Sequence, residues 1–239
     1  TATPQLIAMA KAKIEAKEDG DAVFVDPSLR DPRAWILPAG QRDGAAALRM
    51  AQALQRSGVD VHVAKQPFVV VGREVPAGSF VVFAAQAFRP HVRDLFEPQF
   101  HPDDFKDGKP VPPYDSAGWT LSMQLGAEVV RALDPIEGEF ELLTAIAEPA
   151  AQAVADDVVG WRFDPTDSHA IVAVNRLLQR SLAVERMRDG SWFVPAAQDG
   201  ARAAVVDAVA GLGVRAEALA EVTEEARPRQ RAPRIGLFD

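Results

Sequence analysis

Apolar and polar positions along the chain follow two periods in turn, one typical of helices and one typical of strands. Apolar residues three and four apart predict helices at PQLIAMAKAKIEAKEDG (4–20), RDGAAALRMAQALQRSG (42–58), PHVRDLFE (90–97) and WTLSMQLGAEVVRAL (119–133). Short apolar or alternating runs predict strands at AVFVDP (22–27), AWILPAG (34–40), VDVHVAK (59–65), SFVVFAAQ (79–86) and IEGEFELLTAI (136–146), with a hairpin at FVVVGREVPAG (68–78). Gly20 and Gly58 are predicted to end the first two helices. The chain is therefore predicted to be an α/β protein.

The second half of the chain repeats the first in the order of its elements. ALQRSGVDVHVA (53–64) matches LLQRSLAVERMR (177–188), and AGSFVVFAAQAFRPHVRDL (77–95) matches DGSWFVPAAQDGARAAVVDAV (189–209). The first copy carries an extra segment, QPFVVVGREVPA (66–77). Recurrence of several elements in one order indicates an internal duplication. We therefore expect two related β-α-β-β-α units with mainly parallel or mixed sheets and flanking helices.

The predicted domain organisation has four parts. Residues 1–20 form an N-terminal helix, residues 21–147 the first α/β unit with a Pro-rich loop and a helix, and residues 148–222 the second α/β unit. Residues 223–239 read as a linker followed by RIGLFD, the first strand of a truncated domain. Within this scheme residues 96–113 are a long Pro- and Asp-rich loop, and residues 148–157 are a candidate linker.

Charge and composition exclude several classes of function. The formal net charge of −8 disfavours binding to nucleic acids and to anionic membranes, because both need a basic surface. The absence of cysteine excludes disulfides, thiolate nucleophiles and thiolate metal ligands. The hydrophobic content of 48% is that of an ordinary globular protein.

Hydrolytic and metal-dependent chemistry finds little support in the motifs. None of the four histidines, His62, His91, His101 and His169, has zinc-site spacing, although His91 and His101 each have an aspartate nearby. His62 is expected to point outward from its strand, and His169 to follow a cap formed by Asp167 or Ser168 at a helix N-terminus.

Serine and glycine motifs also favour structural roles. No Gly-x-Ser-x-Gly elbow is present, and Ser79 and Ser191 each follow a glycine at equivalent points of the repeat, which predicts a turn role for both. PAGQRDG (38–44) could form a weak anion site, but an ordinary turn between a strand and a helix is the favoured interpretation.

The best candidate for a functional site is PYDSAGWTL (113–121), which holds the only tyrosine of the chain. Tyr114 and Trp119 could stack on a peptide or a sugar while Asp115 receives an amine. The favoured alternative is structural: the two rings pin a long loop, and Asp115 caps a helix that begins near Ala117. These three residues are the candidates for binding or for an interdomain contact, and no catalytic or metal-binding residue is assigned.

Several motifs together resemble one family. AGSFVVFAAQAFRPHVRDLFEPQ (77–99), PPYDSAGWTLSMQLGAEV (112–129), AVNRLLQRSLAVERM (173–187) and the closing RIGLFD resemble bacterial multidomain zinc carboxypeptidase-like proteins of the carboxypeptidase A type. The similar region is the one that follows the catalytic domain and precedes a class I glutamine amidotransferase-like domain. The resemblance covers roughly residues 31–239. GWTLSMQLGAEV departs from it, because a proline after the leucine and a Gly-Val pair are expected there.

The resemblance implies a non-catalytic accessory domain. Zinc, its ligands and the catalytic residues of that family would belong to a peptidase domain upstream of this chain, so no cofactor is expected here. The expected partners are adjacent domains of the same polypeptide, in a secreted or periplasmic protein. The alternative is a stand-alone module that binds a small ligand or a peptide in a cleft between the two repeat units. A hydrolase in its own right is disfavoured by the motif search.

Overall fold

The computed structural model describes residues 4–26, 31–98, 105–111, 120–150, 153–221 and 230–231. These residues contain both helices and strands, so the predicted α/β class is confirmed. The chain divides into two compact units: Thr1–Ala39 with Met50–Thr144, and Gly40–Arg49 with Ala145–Asp239. We call them unit 1 and unit 2; the division falls inside one helix, α3 (Gly44–Arg56). No helix within the described ranges is long and apolar enough to cross a membrane.

Unit 1 is built on a five-stranded sheet in the order β8-β1-β5-β2-β9. Its strands are β1 (Ala34–Leu37), β2 (His62–Ala64), β5 (Phe80–Phe83), β8 (Val130–Ala132) and β9 (Phe140–Leu142), with two further hairpins, β3 (Phe68–Val70) to β4 (Arg73–Val75) and β6 (Phe105–Lys106) to β7 (Lys109–Pro110). Its other helices are α1 (Pro4–Glu15), α2 (Ala22–Val25), α4 (Arg89–Phe96) and α5 (Leu121–Leu125).

Unit 2 is built on a four-stranded sheet in the order β11-β12-β10-β13. Its elements are β10 (Gly160–Phe163), α6 (Ser168–Gln179), β11 (Glu185–Arg186), β12 (Trp192–Pro195), α7 (Ala201–Val209) and β13 (Glu217–Leu219). The two helices pack on one face of this sheet, and Trp161, Phe163 and Leu177 belong to the resulting core.

The two sheets have the same strand order once equivalent strands are matched. β8-β1-β5-β2 in unit 1 corresponds to β13-β10-β12-β11 in unit 2, which is the order 4-1-3-2 of a split β-α-β arrangement. The predicted β-α-β-β-α series is therefore followed by a further strand in each unit. The internal duplication itself stays a prediction, which this shared order supports.

The prediction of parallel or mixed sheets is wrong for the described strands, since all their pairs are antiparallel. A helix that connects two strands usually joins parallel strands, so the alternation of strands and helices along the chain predicts parallel pairs. Here the crossover from β10 through α6 to β11 skips one position. β12 then fills the gap and runs antiparallel to both neighbours.

The same hydrogen bonds recur at equivalent places in the two units. The side chain of Gln86 donates to Phe83 O at 2.7 Å, and its Oε1 accepts from the N–H of Asp60 at 2.9 Å. The side chain of Gln198 donates to Pro195 O at 3.0 Å, and its Oε1 accepts from the N–H of Ala183. Each glutamine therefore ties the last residue of one strand, β5 or β12, to the chain that leads into the second strand of its unit.

These bonds correct the alignment that the repeated letters suggest. At the end of α3, the N–H of Val59 donates to Leu54 O at 3.1 Å and closes the last turn. Leu182 makes the matching bond to Leu177 O at 3.2 Å at the end of α6. Leu54 thus corresponds to Leu177, whereas the shared letters LQRS align Leu177 with Ala53. Backbone geometry, rather than the letters, sets the register of the repeat.

The extra hairpin of unit 1 explains why equivalent strands differ in composition. Phe68 and Val75 of the hairpin pack in one cluster with Ile36 of β1, so the second face of that sheet is covered and β1 is buried throughout. Arg162 stands at the position of Ile36 in β10, and the described part of unit 2 has no such hairpin. A strand covered on both faces is apolar at every position, whereas β10 can carry a charge.

Two predicted elements differ in the structure. The predicted helix 119–133 is α5, which ends where Gly126 adopts a left-handed conformation with φ +67°. Ala127 N–H donates to Ser122 O at 2.9 Å, a Schellman ending, and the β-branched residues that follow enter β8. The predicted strand 22–27 is the helix α2, which contacts α1; an apolar run this short has no period that separates the two states.

The first helix also ends earlier than predicted. α1 ends at Glu15, and Lys17 with φ +62° takes the left-handed position that was assigned to Gly20. Gly20 instead lies against α1, where a Cβ would meet the Ile14 side chain at 2.6 Å. Residues 148–150 and 153–157, the candidate linker, pack on unit 2: Val154 is buried, and Ala155 O accepts from the Trp161 indole at 3.2 Å. The predicted strand RIGLFD lies outside the described residues.

The glutamine bonds predict a measurable stability difference. Gln198→Ala leaves the peptide groups of Ala183 without their side-chain partner, so we expect the free energy of unfolding to fall by about 1–3 kcal/mol. Gln179→Ala, on the exposed side of α6, is the matched control and should change it by less than about 0.5 kcal/mol. Urea denaturation of both variants measures this. Equal losses of unfolding free energy in the two variants would show that the Gln198 bonds do not stabilise unit 2.

Candidate functional site

The three candidate residues Tyr114, Asp115 and Trp119 lie outside the described residues, as does His101. Thr120, near the downstream end of PYDSAGWTL, lies within the described residues. The hydroxyl of Thr120 donates to the backbone O of Glu97 at 2.9 Å. The candidate segment is therefore fastened at its downstream end to the end of α4.

Glu97 is the centre of a buried polar contact in unit 1. It follows α4 directly, and its side chain is only 15% exposed. Its Oε1 accepts from the indole N–H of Trp35 at 2.6 Å, and Arg131 of β8 donates to both of its oxygens at 2.9 Å. Trp35 is fully buried and stacks on Phe96, so its N–H needs this acceptor. We call Glu97, Trp35 and Arg131 the Glu97 cluster.

Unit 2 holds a second polar group, the capping cluster, made of Asp43, Arg49, Asp167 and Ser168. Asp43 Oδ1 accepts from the N–H of Ala46 at 3.0 Å in the first turn of α3. The hydroxyl of Ser168 donates to the same oxygen at 3.1 Å and accepts a bond from the Arg49 guanidinium. The Asp43 carboxylate therefore occupies a backbone N–H at the start of α3 that a bound anion would need. This favours the turn interpretation of residues 38–44 over an anion site.

Asp167 is the N-cap of α6, as one of the two predicted alternatives has it. Its Oδ1 accepts from the N–H of His169 at 2.8 Å. Burial raises the pKa of Asp167, and the nearby Asp43 carboxylate raises it further, while the bond from His169 opposes both. Asp164 behaves in the opposite way, because the hydroxyl and N–H of Thr166 lower its pKa.

Arg162 organises the face of the unit 2 sheet opposite the helices. Its guanidinium donates to Asp189 at 2.6 Å, to Glu217 at 3.1 Å and to the hydroxyl of Ser191 at 3.1 Å. Bonds from Ser191 hold the pKa of Asp189 below its usual value, and the charge of Arg162 lowers it further. This network ties β10, β13 and the turn before β12 together.

The turn role predicted for the two serines is confirmed. Ser79 is fully buried, donates to Pro76 O at 2.7 Å and accepts from the N–H of Ala39 at 2.8 Å. Ser191 is also fully buried and donates to Asp189 Oδ1 at 2.6 Å. Both hydroxyls are engaged with their own turns, and neither has a hydrogen bond to any of the described histidines.

The described histidines lie apart from one another in structural settings. His169 is buried and its Nδ1 bonds Leu212 O at 2.6 Å, and His91 Nε2 lies 3.1 Å from the Ser57 hydroxyl. The prediction that His62 points outward is wrong: its ring lies edge-on to Phe83 at 5.0 Å, because this face of β2 is part of the covered face. Its Nδ1 is buried without a hydrogen-bond partner among the described residues. Within those residues, no group of three or more possible ligands could hold a metal ion.

No local pattern points to Glu97 or its partners, because Glu97 lies far from Trp35 and Arg131 along the chain. Arg162 could have been found, because aligning the strand AWIL (34–37) with GWRF (160–163) places an arginine where unit 1 has an isoleucine. When one of two equivalent strands carries a charge where the other is apolar, that face of its sheet is expected to be open to solvent.

The Glu97 cluster predicts a large loss for a single truncation. Glu97→Ala leaves the buried indole N–H of Trp35 without an acceptor, and we expect the free energy of unfolding to fall by about 2–3 kcal/mol. Glu18→Ala removes an exposed ion pair with Lys13 and should cost less than about 1 kcal/mol. Denaturation curves of the two variants test this, and a loss for Glu97→Ala no larger than the control would show that the cluster is not needed.

The raised pKa of Asp167 predicts a pH-dependent effect of its neutral analogue. Burial makes the charged form of Asp167 unfavourable in the folded state, so its folded pKa lies above its unfolded pKa. The fold therefore loses stability when Asp167 is ionised, and it regains that stability as the pH falls from above the folded pKa to below the unfolded pKa. Asp167→Asn keeps a good N-cap and removes the charge. We expect this variant to be more stable than the wild type at pH 7, with the difference shrinking in acid. Thermal unfolding between pH 7 and pH 3 measures it, and a difference independent of pH would refute it.

No family model, no curated protein and no solved structure matches the chain.

Proposed function

We propose that this chain is a non-catalytic accessory region of a zinc carboxypeptidase-like polypeptide, and that it packs against a neighbouring domain and shapes access to it. The motif resemblance of residues 77–99 and 112–129 motivates the family, and the structural roles of the described serines and histidines favour an accessory role. The observation that carries a docking role is the tip of the β3–β4 hairpin.

The hairpin tip exposes apolar side chains in a strained turn. Val70 pairs with Arg73, so the turn has two residues, Val71 and Gly72, with φ of +51° and +73°. Asn-Gly is the usual choice for such a turn, and a β-branched residue at positive φ is unfavourable. Val71 is 81% exposed, and Val69 beside it is 62% exposed. These side chains gain nothing from the fold of unit 1, which favours a contact with another domain.

The rest of the hairpin supplies a rigid base for such a contact. Phe68, Val70 and Val75 are buried in the cluster beneath it. Phe68 also meets the ring of Phe140 edge-on at 5.1 Å. The alternation along β3 therefore divides the hairpin into an inner face that holds it to the sheet and an outer face that is free to dock.

The proposal is tested on the endogenous polypeptide, captured from its source with an antibody against this chain. We expect a mass above 25.8 kDa, about one zinc per polypeptide and release of C-terminal residues from a peptide substrate, whereas the recombinant 239-residue chain shows neither zinc nor activity. A recombinant chain with stoichiometric zinc and peptidase activity would overturn the accessory role. An endogenous protein of 25.8 kDa without peptidase activity would overturn the family assignment.

The same material tests the docking surface. Amide hydrogen exchange of residues 69–72 should be slower in the endogenous polypeptide than in the recombinant chain if the tip is covered. The β6–β7 hairpin, with Phe105 exposed, is the comparison within the chain. Equal exchange at the tip in both materials would exclude it as the contact.

A further inference from the structure

The edge of the unit 2 sheet is formed by β11, which has a partner on one side only among the described strands. Its peptide groups face β12 and the outer edge in alternation. The N–H of Met187 donates to Ser191 O at 2.9 Å, on the β12 side. The peptide groups of Val184 and Arg186 therefore face outward, where an unpaired edge can accept another extended segment.

The described residues place a backbone hydrogen bond at this outer edge. The N–H of Gln230 donates to Val184 O at 2.8 Å. Gln230 follows β13 by a stretch of chain and belongs to unit 2. The chain thus returns to the sheet after β13, and it does so at the outward-facing carbonyl of Val184, directly before β11.

Unit 1 has the same bond at the equivalent place, and there it belongs to a strand pairing. Val61 O accepts from the N–H of Leu143 at 2.9 Å, directly after β9, which pairs with β2 along the edge that corresponds to that of β11. Ala132 and Leu219 are equivalent, because each accepts a bond from the residue before the first strand of its sheet. Leu143 and Gln230 stand the same number of residues after them.

We propose that the outer edge of β11 is a docking edge for an extended segment, and that its occupant is the stretch of this chain that carries Gln230 and Arg231. Prolines stand two positions before Gln230 and two positions after Arg231, and they disfavour helix in the sequence around this pair. The segment takes the place that β9 takes in unit 1.

Antiparallel geometry gives the test its matched variants. The N–H of Gln230 points to β11, so that of Arg231 points away from it. Amide exchange measured by NMR on the full chain should show Gln230 protected at least about tenfold more than Arg231. Gln230→Pro removes the donor and should speed exchange of the outward amide of Arg186, while Arg231→Pro should leave it unchanged. Equal exchange at Gln230 and Arg231, or equal effects of the two prolines, would overturn the proposal.

The occupant is identified by adding it back. A synthetic peptide with the sequence ARPRQRAPR (226–234) should restore protection of Arg186 in the Gln230→Pro variant. Failure of this peptide, with protection that returns only as the protein concentration is raised, would assign the edge to a second copy of the chain instead. Loss of this docking would leave the zinc and peptidase results unchanged, so the two proposals fail independently.

Discussion

Two buried tryptophans, one on the first strand of each sheet, impose the constraint on which the surrounding structure depends. Trp35 and Trp161 occupy the same position in β1 and β10, and both rings are almost completely removed from solvent. An indole buries much apolar surface but brings an N–H that must be bonded. Each unit therefore has to deliver an acceptor into the edge of its own core.

The two units meet this demand in different ways, and the difference shapes what lies nearby. Unit 1 uses a carboxylate, Glu97, whose charge then requires Arg131 on the neighbouring strand. Unit 2 uses the carbonyl of Ala155, which needs no counter-charge but fixes the segment before β10 against the core. The charged acceptor in unit 1 thus fixes a neighbouring side chain, whereas the backbone acceptor in unit 2 fixes the path of the chain before β10.

Hydrophobic period alone predicts most of the elements, because each buried strand and amphipathic helix carries its own pattern. It fails where a single residue changes the backbone, as at Gly126, and where four apolar residues such as Ala22–Val25 fit either state. The hydrophobic period does not encode strand direction. The antiparallel pairing follows instead from the position in the sheet to which each helical connection returns the chain. The Glu97 cluster joins residues that are distant in sequence, and such a site has no local signature. Tyr114, Asp115 and Trp119 remain candidates on sequence grounds.

The hairpin that covers one sheet makes the first strands of the two units non-exchangeable. With Phe68 and Val75 above it, the position of Ile36 does not tolerate a charge, while the same position in unit 2 holds Arg162, which is paired with Asp189 and Glu217. A strand moved from unit 2 into unit 1 would carry a guanidinium under an apolar lid, far from its carboxylates. The presence of one hairpin therefore decides which residues a strand tolerates: β1 must stay apolar beneath its cover, and β10 keeps a charge only because its outer face is open.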